Sequence, residues 1–106
     1  MVTGRAAADP FRAMGDPTRR EILLALLERG PSPVHAIAER FACSRPAISK
    51  HLRVLLEADL VRPEKAGREV VYHLEPRALA QLRDYLDTFW GRGLARLKKT
   101  AEGRKK

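Results

Sequence analysis

The sequence predicts a mainly α-helical fold with one small β-hairpin, and three observations carry this prediction. Apolar residues recur at the three-to-four-residue spacing of amphipathic helices along most of the chain. Two of these helical patterns are separated by a very short turn, and the second has a basic face. Past residue 59 the pattern changes to short β-branched and aromatic runs separated by a glycine-containing basic segment. This order of elements is typical of a winged helix-turn-helix.

Length and composition limit the classes of function. The 106 residues are enough for one domain but fewer than most enzymes need to enclose a pocket, and no nucleophile–base spacing, phosphate loop or carboxylate pair indicates an enzyme. The net charge of +8 favours nucleic acid over membrane as partner. Because the sequence lacks a signal peptide and a membrane span, and a single cysteine cannot form an internal disulfide, we expect a cytoplasmic protein.

Two pairs of a capping residue and a proline open the predicted domain, which we place at residues 9–97. Residues 1–8 are small and polar enough to form a flexible N-terminal arm. Asp9-Pro10 predicts the start of a short helix, because the Asp side chain can cap it and proline fits the first turn. Asp16-Pro17 repeats the same arrangement and predicts the start of a second helix.

The next two helical patterns predict a helix-turn-helix. The first pattern runs from Pro33 to Ala42, and Cys43 and Ser44 after it are too few to form anything but a turn. The second pattern covers residues 45–57, with Ser44 as its N-cap. Its apolar residues recur at period 3.6, so its basic residues gather on a different face.

The basic face of the second pattern has no acidic residue before Glu57. Arg and Lys can meet guanine edges or phosphates and Ser can donate to either, so we interpret residues 45–57 as a recognition helix for the major groove of double-stranded DNA. The alternative is a charged face that is only solvated, and the neighbouring helix and turn favour DNA. The DNA contacts predicted here are Ser44, Arg45, Pro46, Ser49, Lys50 and Arg53.

The β-patterned runs after the recognition helix predict a hairpin, and a hairpin in this place is a wing. We place the wing at residues 62–70, with Lys65 and Arg68 at its tip. These two cations can lie against phosphates or enter the minor groove of flanking DNA. A solubilising turn on an edge hairpin is the alternative interpretation.

The last helical pattern, from Pro76, carries more large apolar residues than a small core can absorb. The stripe can pack on its own domain, but a second subunit is the preferred explanation. Gly91 and Gly93 weaken the helix and predict closely approaching backbones. Residues 98–106 are interpreted as a basic disordered tail. The predicted dimerisation residues are Phe11, Met14, Leu82, Leu86, Phe89, Trp90 and Leu94.

Over roughly residues 11–97 the chain resembles the ArsR family of bacterial winged-helix repressors. The resemblance rests on three segments in order, DPTRREIL from Asp16, SRPAISKHLRVL from Ser44 and GREVVYHL from Gly67. It implies a homodimer joined by its first and last helices, which binds a palindromic operator and represses transcription until a signal releases it. A small-molecule effector of unknown identity is left open as a further partner.

The resemblance also sets expectations about metals. Metal-sensing relatives carry a Cys-x-Cys pair on the helix before the recognition helix, or a set of Asp and His on the last helix. In this sequence the helix before the recognition helix reads VHAIAERF from Val34, which contains no Cys-x-Cys pair. The last helix has Asp84 and Asp87 but no histidine. Because these residues offer too few donors, we expect a member without a metal site and without any cofactor.

The remaining reactive residues are interpreted as structural. Cys43 lies in the predicted turn, where a cysteine behaves as a small hydrophobe. His51 falls on the packed side of the recognition helix, while His35 and His73 are expected to be surface or strand residues without suitably spaced partners. Two alternatives to a DNA-binding regulator stay open, namely a winged-helix protein-interaction module and a thiol-responsive regulator acting through Cys43.

Overall fold

The computed structural model describes residues 9–104, and the arm predicted for residues 1–8 lies outside the described residues. The architecture is mainly α-helical with a small antiparallel sheet, as predicted. None of the described helices is both long and apolar enough to span a membrane. The helices are α1 Pro10–Ala13, α2 Pro17–Arg29, α3 Val34–Ala38, α4 Arg45–Glu57, α5 Pro76–Thr88 and α6 Leu94–Arg104, with a π-helical turn at Phe89–Gly93; the strands are β1 Ser32–Pro33, β2 Val61–Ala66 and β3 Glu69–Leu74.

The predicted helix starts are confirmed by their caps. A carboxylate oxygen of Asp9 accepts a hydrogen bond from the backbone N–H of Phe11 at 2.9 Å, and Pro10 follows as the first helical residue. The hydroxyl of Ser44 accepts from the backbone N–H of Ala47 at 3.3 Å, which starts α4. These side chains satisfy N–H groups that the first helical turn leaves without partners.

The first helix of the helix-turn-helix is shorter than the sequence predicts. It ends at Ala38, and residues 39–43 form the turn. The backbone N–H groups of Arg40 and Phe41 donate to carbonyl oxygens three residues earlier, at 3.1 Å each, which is the tighter spacing of a 3₁₀ turn. Phe41 still packs against the core, so the apolar periodicity persists although the α-helix does not.

The sheet contains a strand that the sequence does not predict. Its order is β1-β3-β2, and the two-residue β1 pairs Pro33 with Val71. A strand of two residues has no alternating pattern to detect. The hairpin itself is tighter than predicted, because Lys65 lies within β2 opposite Val70 and only residues 67–68 form the turn. Gly67 has φ +66°, which a tight hairpin turn requires and which glycine adopts without strain.

The core forms between α2, α4 and the base of the wing. Ile48, Leu52 and Leu55 on α4 are almost completely buried, as are Leu60 and Val61 at the entry to β2. They pack with the buried face of α2 in one continuous cluster. The recognition helix is therefore held in the core along one whole face.

The C-terminal helical run extends further than predicted. The tail predicted to be disordered from residue 98 continues as α6 to Arg104, because Ala, Arg and Lys are strong helix formers. Gly91 and Gly93 lie in the π-helical turn, which glycine tolerates. Within the described chain, a side chain at Gly91 would meet nothing within 4 Å and one at Gly93 would meet only the side chain of Phe89. The close approach of backbones therefore stays a prediction for the second subunit.

Arg19, in the first turn of α2, connects α1 with the recognition helix. Its Nε donates a 2.7 Å hydrogen bond to the carbonyl oxygen of Ala13 at the end of α1. Its Nη1 lies 3.4 Å from Nδ1 of His51, which is half-buried on α4 as the helical wheel predicts. Arg19 therefore contacts both α1 and α4 from the first turn of α2.

Asp16 caps α2 beside the same residues. Its Oδ2 accepts from the backbone N–H of Arg19 at 3.1 Å and lies 4.0 Å from Nδ1 of His51. The backbone hydrogen bond from Arg19, helped by the positive charges of His51 and Arg19, holds the pKa of the Asp16 carboxyl below its ordinary value.

This lowered pKa predicts a pH-dependent contribution to stability. A carboxyl whose pKa is lower in the folded than in the unfolded chain stabilises the fold above about pH 4, and the stabilisation is lost as the pH falls through the folded pKa. Asp16→Asn keeps a capping oxygen but removes the charge. We expect it to lower the free energy of unfolding at pH 7 by ~0.3 kcal/mol, the low end for a partly exposed charge at a helix N-terminus.

Urea unfolding of the wild type and Asp16→Asn at pH 7 and pH 2.5 tests this expectation. The difference between the two proteins should shrink towards zero at the lower pH. A difference of the same size at both pH values would show that the charge of Asp16 plays no part.

Candidate nucleic-acid interface

The outward face of α4 presents the side chains that the sequence predicts to contact DNA. Ser44, Arg45, Pro46, Ser49, Lys50 and Arg53 are all exposed, while Ile48, Leu52 and Leu55 on the opposite face are buried. Since the buried face fixes the rotation of the helix about its axis, the polar and cationic side chains project together from the domain. We call these six exposed residues the α4 face.

The α4 face carries net positive charge that the chain itself does not neutralise. Among the residues that the structure describes, Arg45, Lys50 and Arg53 have no carboxylate within ion-pair distance. Free cations on a convex helix are available to phosphates or to base edges. The arrangement is therefore chemically suited to a polyanion.

The hairpin carries two further exposed cations. Lys65 points from β2 and Arg68 lies in the two-residue turn, and within residues 9–104 neither forms an ion pair. Pro63 lies in β2, which is tolerated because β2 is an edge strand. The hairpin therefore carries exposed positive charge of its own.

Two histidine–glutamate contacts hold the hairpin, and both were missed from the sequence. Nε2 of His35 on α3 lies 2.7 Å from Oε2 of Glu69 at the start of β3. Nε2 of His73 lies 2.7 Å from Oε1 of Glu64 on the neighbouring strand. His35 is exposed on α3 and His73 lies on β3, as expected. The expectation that these histidines lack partners was wrong, because the pairs join residues distant in sequence or diagonal across the ladder. The position of α3 brings His35 to Glu69, and the strand register brings His73 to Glu64.

A second exposed surface, apolar and aromatic, lies on the terminal helices. The rings of Phe11, Tyr85 and Phe89 form an edge-to-face series with centroid separations of 4.9 and 5.3 Å. Trp90 is 68% exposed. Tyr85 was missed from the sequence because its hydroxyl kept it out of the apolar stripe. We call the set the terminal-helix surface: Phe11, Tyr85, Leu86, Phe89, Trp90, Leu94 and Leu97.

Two residues predicted for dimerisation lie elsewhere. Leu82 is buried in the core of its own chain, because α5 uses its first turns to pack on the domain. Met14 is half-buried and packs against that core. The predicted stripe therefore divides into a half that completes the domain and a half that remains exposed.

Cys43 and the acidic residues do not form a second site. Cys43 is half-buried, is not in a disulfide and packs against the core. In the part of the chain that the structure describes, no three His, Cys, Asp or Glu side chains are grouped closely enough to hold a metal ion. The exposed basic and apolar surfaces are thus the features of this fold that need a partner.

Comparison with known proteins places the chain in a family. Residues 14–64 match the family model described as a helix-turn-helix domain. The chain is 45% identical over 94 residues to the HTH-type transcriptional regulator Rv2034 of Mycobacterium tuberculosis, covering 89% of this chain and 87% of that protein. It is 36% identical over 83 residues to the transcriptional repressor SdpR of Bacillus subtilis, covering 78% of this chain and 91% of that protein.

Solved structures agree with these relatives. A crystal structure described as a possible transcriptional regulator for arsenical resistance matches with a TM-score of 0.72 and 47% identity, covering 87% of this chain and 95% of that one. An ArsR-like transcriptional regulator from Rhodococcus sp. RHA1 matches with a TM-score of 0.66 and 36% identity, covering 92% of both chains. With its winged helix-turn-helix and basic α4 face, the chain belongs to the ArsR family of DNA-binding transcriptional regulators.

Proposed function

We propose that the chain is a cytoplasmic homodimeric repressor that binds a palindromic operator, with α4 in the major groove and the hairpin on flanking DNA. The observation that carries the proposal is the division of α4 into a buried apolar face and an exposed basic face. A major groove about 12 Å wide admits one α-helix. Because the apolar face of α4 stays packed on the core, its exposed face can enter the major groove while the domain remains folded.

The position of each side chain along α4 divides the roles on the DNA. Arg45, Pro46 and Ser49 occupy the N-terminal part of the outward face, which approaches base edges in a helix-turn-helix. Lys50 and Arg53 lie toward its flanks, where phosphates are nearer. We assign Arg45 to sequence-specific contact with a base pair, and Lys50 and Arg53 to contacts with the phosphates of the DNA backbone.

The hairpin acts as a wing in this proposal. Arg68 in the turn and Lys65 on β2 are exposed and positioned to meet phosphates or the minor groove. The contact of His35 with Glu69 joins β3 to α3 near the turn of the hairpin, so the wing is braced against the helix-turn-helix. A braced wing loses less conformational freedom on binding DNA.

The terminal-helix surface supports the homodimer. It places four aromatic side chains and three leucines in solvent on the terminal helices, which is more apolar surface than a monomer ordinarily leaves open. A twofold dimer would cover this surface with its own copy. It would also present two α4 helices to two half-sites, which is why we expect a palindromic operator.

Repression is supported by the relatives. SdpR of Bacillus subtilis is a transcriptional repressor, and the arsenical resistance operon repressor of Escherichia coli is 35% identical over 80 residues. By analogy, the dimer blocks transcription where it binds, and an effector of unknown identity releases it. The alternative of a protein-interaction module predicts an apolar or acidic α4 face, and the exposed face is basic.

The division between base reading and backbone contact predicts different behaviour for two arginine variants. Arg45→Ala should cost ~1–3 kcal/mol on the operator and flatten discrimination between operator variants, because a bidentate contact to guanine is lost. Arg68→Ala should weaken operator and scrambled duplex alike and reduce the salt dependence of binding, because fewer counterions are released.

Titration of both variants against operator and scrambled duplexes at several salt concentrations tests the assignment. Each variant serves as the charge-matched control for the other, since each removes one arginine. If Arg45→Ala lowers both affinities equally while Arg68→Ala changes the preferred sequence, the wing is the reader and the assignment is reversed.

The proposed homodimer predicts that removing the aromatic rings of Phe89 and Trp90 weakens the association of the subunits. Replacing Phe89 and Trp90 together with Ser should raise the dimer dissociation constant roughly a hundredfold and weaken operator binding, because buried aromatics dominate interface energies. Sedimentation measures the oligomeric state. Val70→Ser is the control for the oligomeric state, because Val70 is an exposed apolar residue on β3 outside this surface. An unchanged dimer after the Phe89 and Trp90 replacements would discard this interface.

The absence of a suitable donor set predicts that transition metals do not control the protein. Zinc at a stoichiometric concentration should leave operator affinity unchanged, and so should Cys43→Ala. Mobility-shift titrations with and without chelator measure this. A stoichiometric metal that abolishes binding to the operator would overturn the prediction.

A further inference from the structure

Two adjacent arginines at the start of α2 bind the end of α1. Nε of Arg19 donates to the carbonyl oxygen of Ala13 at 2.7 Å, and its Nη2 donates to the carbonyl oxygen of Arg12 at 3.3 Å. Nη1 of Arg20 donates to the carbonyl oxygen of Met14 at 2.7 Å. The last carbonyl groups of a helix lack partners within the helix, so these two guanidinium groups satisfy them from outside.

α1 needs support from outside because it is only four residues long. A helix of about one turn has too few internal hydrogen bonds to be stable alone. Its residue Ala13 is buried in the core, while Phe11 and Arg12 are exposed. The methyl group of Ala13 is small, so its burial determines the orientation of α1 only weakly. The two arginines therefore help to fix where α1 lies on the domain.

Arg19 differs from Arg20 because it also reaches the recognition helix. Nη1 of Arg19 lies 3.4 Å from Nδ1 of His51 on α4. Arg19 is half-buried, whereas Arg20 is exposed. The backbone N–H of Arg19 donates to Oδ2 of Asp16 at 3.1 Å, and this carboxylate oxygen lies 4.0 Å from the same histidine nitrogen. Arg19 is thus held at its backbone and at its guanidinium group, with α1 on one side and α4 on the other.

We propose that Arg19 is a positioning residue that determines which spacing of DNA half-sites the dimer accepts, although Arg19 is not part of the α4 face. The inference rests on the proposed homodimer and its palindromic operator. In that dimer, α1 carries Phe11 of the terminal-helix surface, which joins the subunits, and α4 enters the DNA. A contact that fixes α1 relative to α4 in each chain therefore also fixes the distance between the two α4 helices.

The shape of the arginine side chain suits this role. Each of the three nitrogens of Arg19 contacts a different residue, namely Ala13, Arg12 and His51. The guanidinium group is planar, so its three nitrogens keep a fixed geometry relative to one another. A lysine has a single nitrogen on a flexible stem and cannot reproduce the three contacts together. The relative position of α1 and α4 is therefore defined more closely by arginine than by a positive charge alone.

The spacing of two half-sites is sensitive to small displacements of α4. One base pair more or fewer between the half-sites moves them by about 3.4 Å along the DNA and turns them by about a tenth of a turn. A firm connection between α1 and α4 makes the dimer reject such a change. A loose connection lets each α4 helix adjust to its own half-site, so the discrimination between spacings falls.

The test compares three DNA duplexes with the full chain. The first is the palindromic duplex that the wild-type protein selects from a pool of random DNA, and the other two have one base pair added or removed at its centre. The measured quantity is the spacing ratio, which we define as the Kd for an altered duplex divided by the Kd for the selected duplex. Protein is kept above the dimer dissociation constant, so that weaker association does not enter the ratio.

The wild-type protein should bind both altered duplexes more weakly, and the spacing ratio should fall in Arg19→Ala and Arg19→Lys. We expect a fall of about fivefold, somewhat less than the full loss of one charge-assisted hydrogen bond would give. The loss is partial because Ala78 and Leu82 also anchor α5 in the core. A role of Arg19 in stability alone would raise the Kd for all three duplexes by the same factor and leave the spacing ratio unchanged.

Two further variants separate the contact with α4 from the cap on α1. Arg20→Ala is the matched control, because it removes the neighbouring arginine that binds α1 and leaves the contact of Arg19 with His51 in place. Its spacing ratio should remain that of the wild type. His51→Leu keeps an apolar side chain but removes the ring nitrogen, so it should lower the ratio as Arg19→Lys does. Combining these two changes should add little, since both remove the same contact.

Three outcomes would overturn the inference. If Arg19→Lys and His51→Leu keep the wild-type spacing ratio, Arg19 does not position α4, while the proposed homodimer and operator stand. If Arg20→Ala lowers the ratio as much as Arg19→Ala does, the cap on α1 is sufficient and the contact with α4 is not needed. If the wild-type protein binds all three duplexes equally, or selects a single half-site, the proposed palindromic operator fails together with this inference.

Discussion

The structure depends on the burial of one face of α4. Ile48, Leu52 and Leu55 are almost fully buried, and they lie on the same helix as the exposed Arg45, Lys50 and Arg53. Turning the helix about its axis would bring cations into the core, where an unpaired charge is very costly, and would expose the three apolar side chains. The same packing that stabilises the domain therefore aims the basic face outward. The buried apolar face and the exposed basic face belong to one helix, so a rotation of α4 would change both.

Arg19 adds a connection that packing alone does not provide. It binds the carbonyl oxygen of Ala13 at the end of α1 and contacts His51 on the inner side of α4. Phe11 of the terminal-helix surface lies on α1, within one helical turn of Ala13. A single side chain thus links the apolar surface to the helix that carries the basic surface. In the proposed homodimer, Arg19 would therefore lie between the subunit interface and α4.

Local signals in the sequence predicted most of the fold, and long-range pairing explains what they missed. A capping residue and a proline lie within one helical turn, so the starts of α1, α2 and α4 could be identified directly. The contacts of His35 with Glu69 and of His73 with Glu64 depend on the strand register and on the position of α3, which no local pattern encodes. The predicted stripe on the last helix was correct in composition. Its division between core and surface depends on where the domain ends, which is why Leu82 was assigned to the wrong side.

The size of the core connects stability with assembly. A chain of 106 residues buries a smaller fraction of its surface than a larger domain does, so its folded state has little stability to spare. Here the exposed apolar side chains of α5 and α6 contribute little to the single chain, since much of their surface lies in solvent. In the proposed homodimer they become buried, and association then stabilises the fold by mass action. Stability, dimerisation and the presentation of two α4 faces would rise together with protein concentration, because the same apolar residues serve all three.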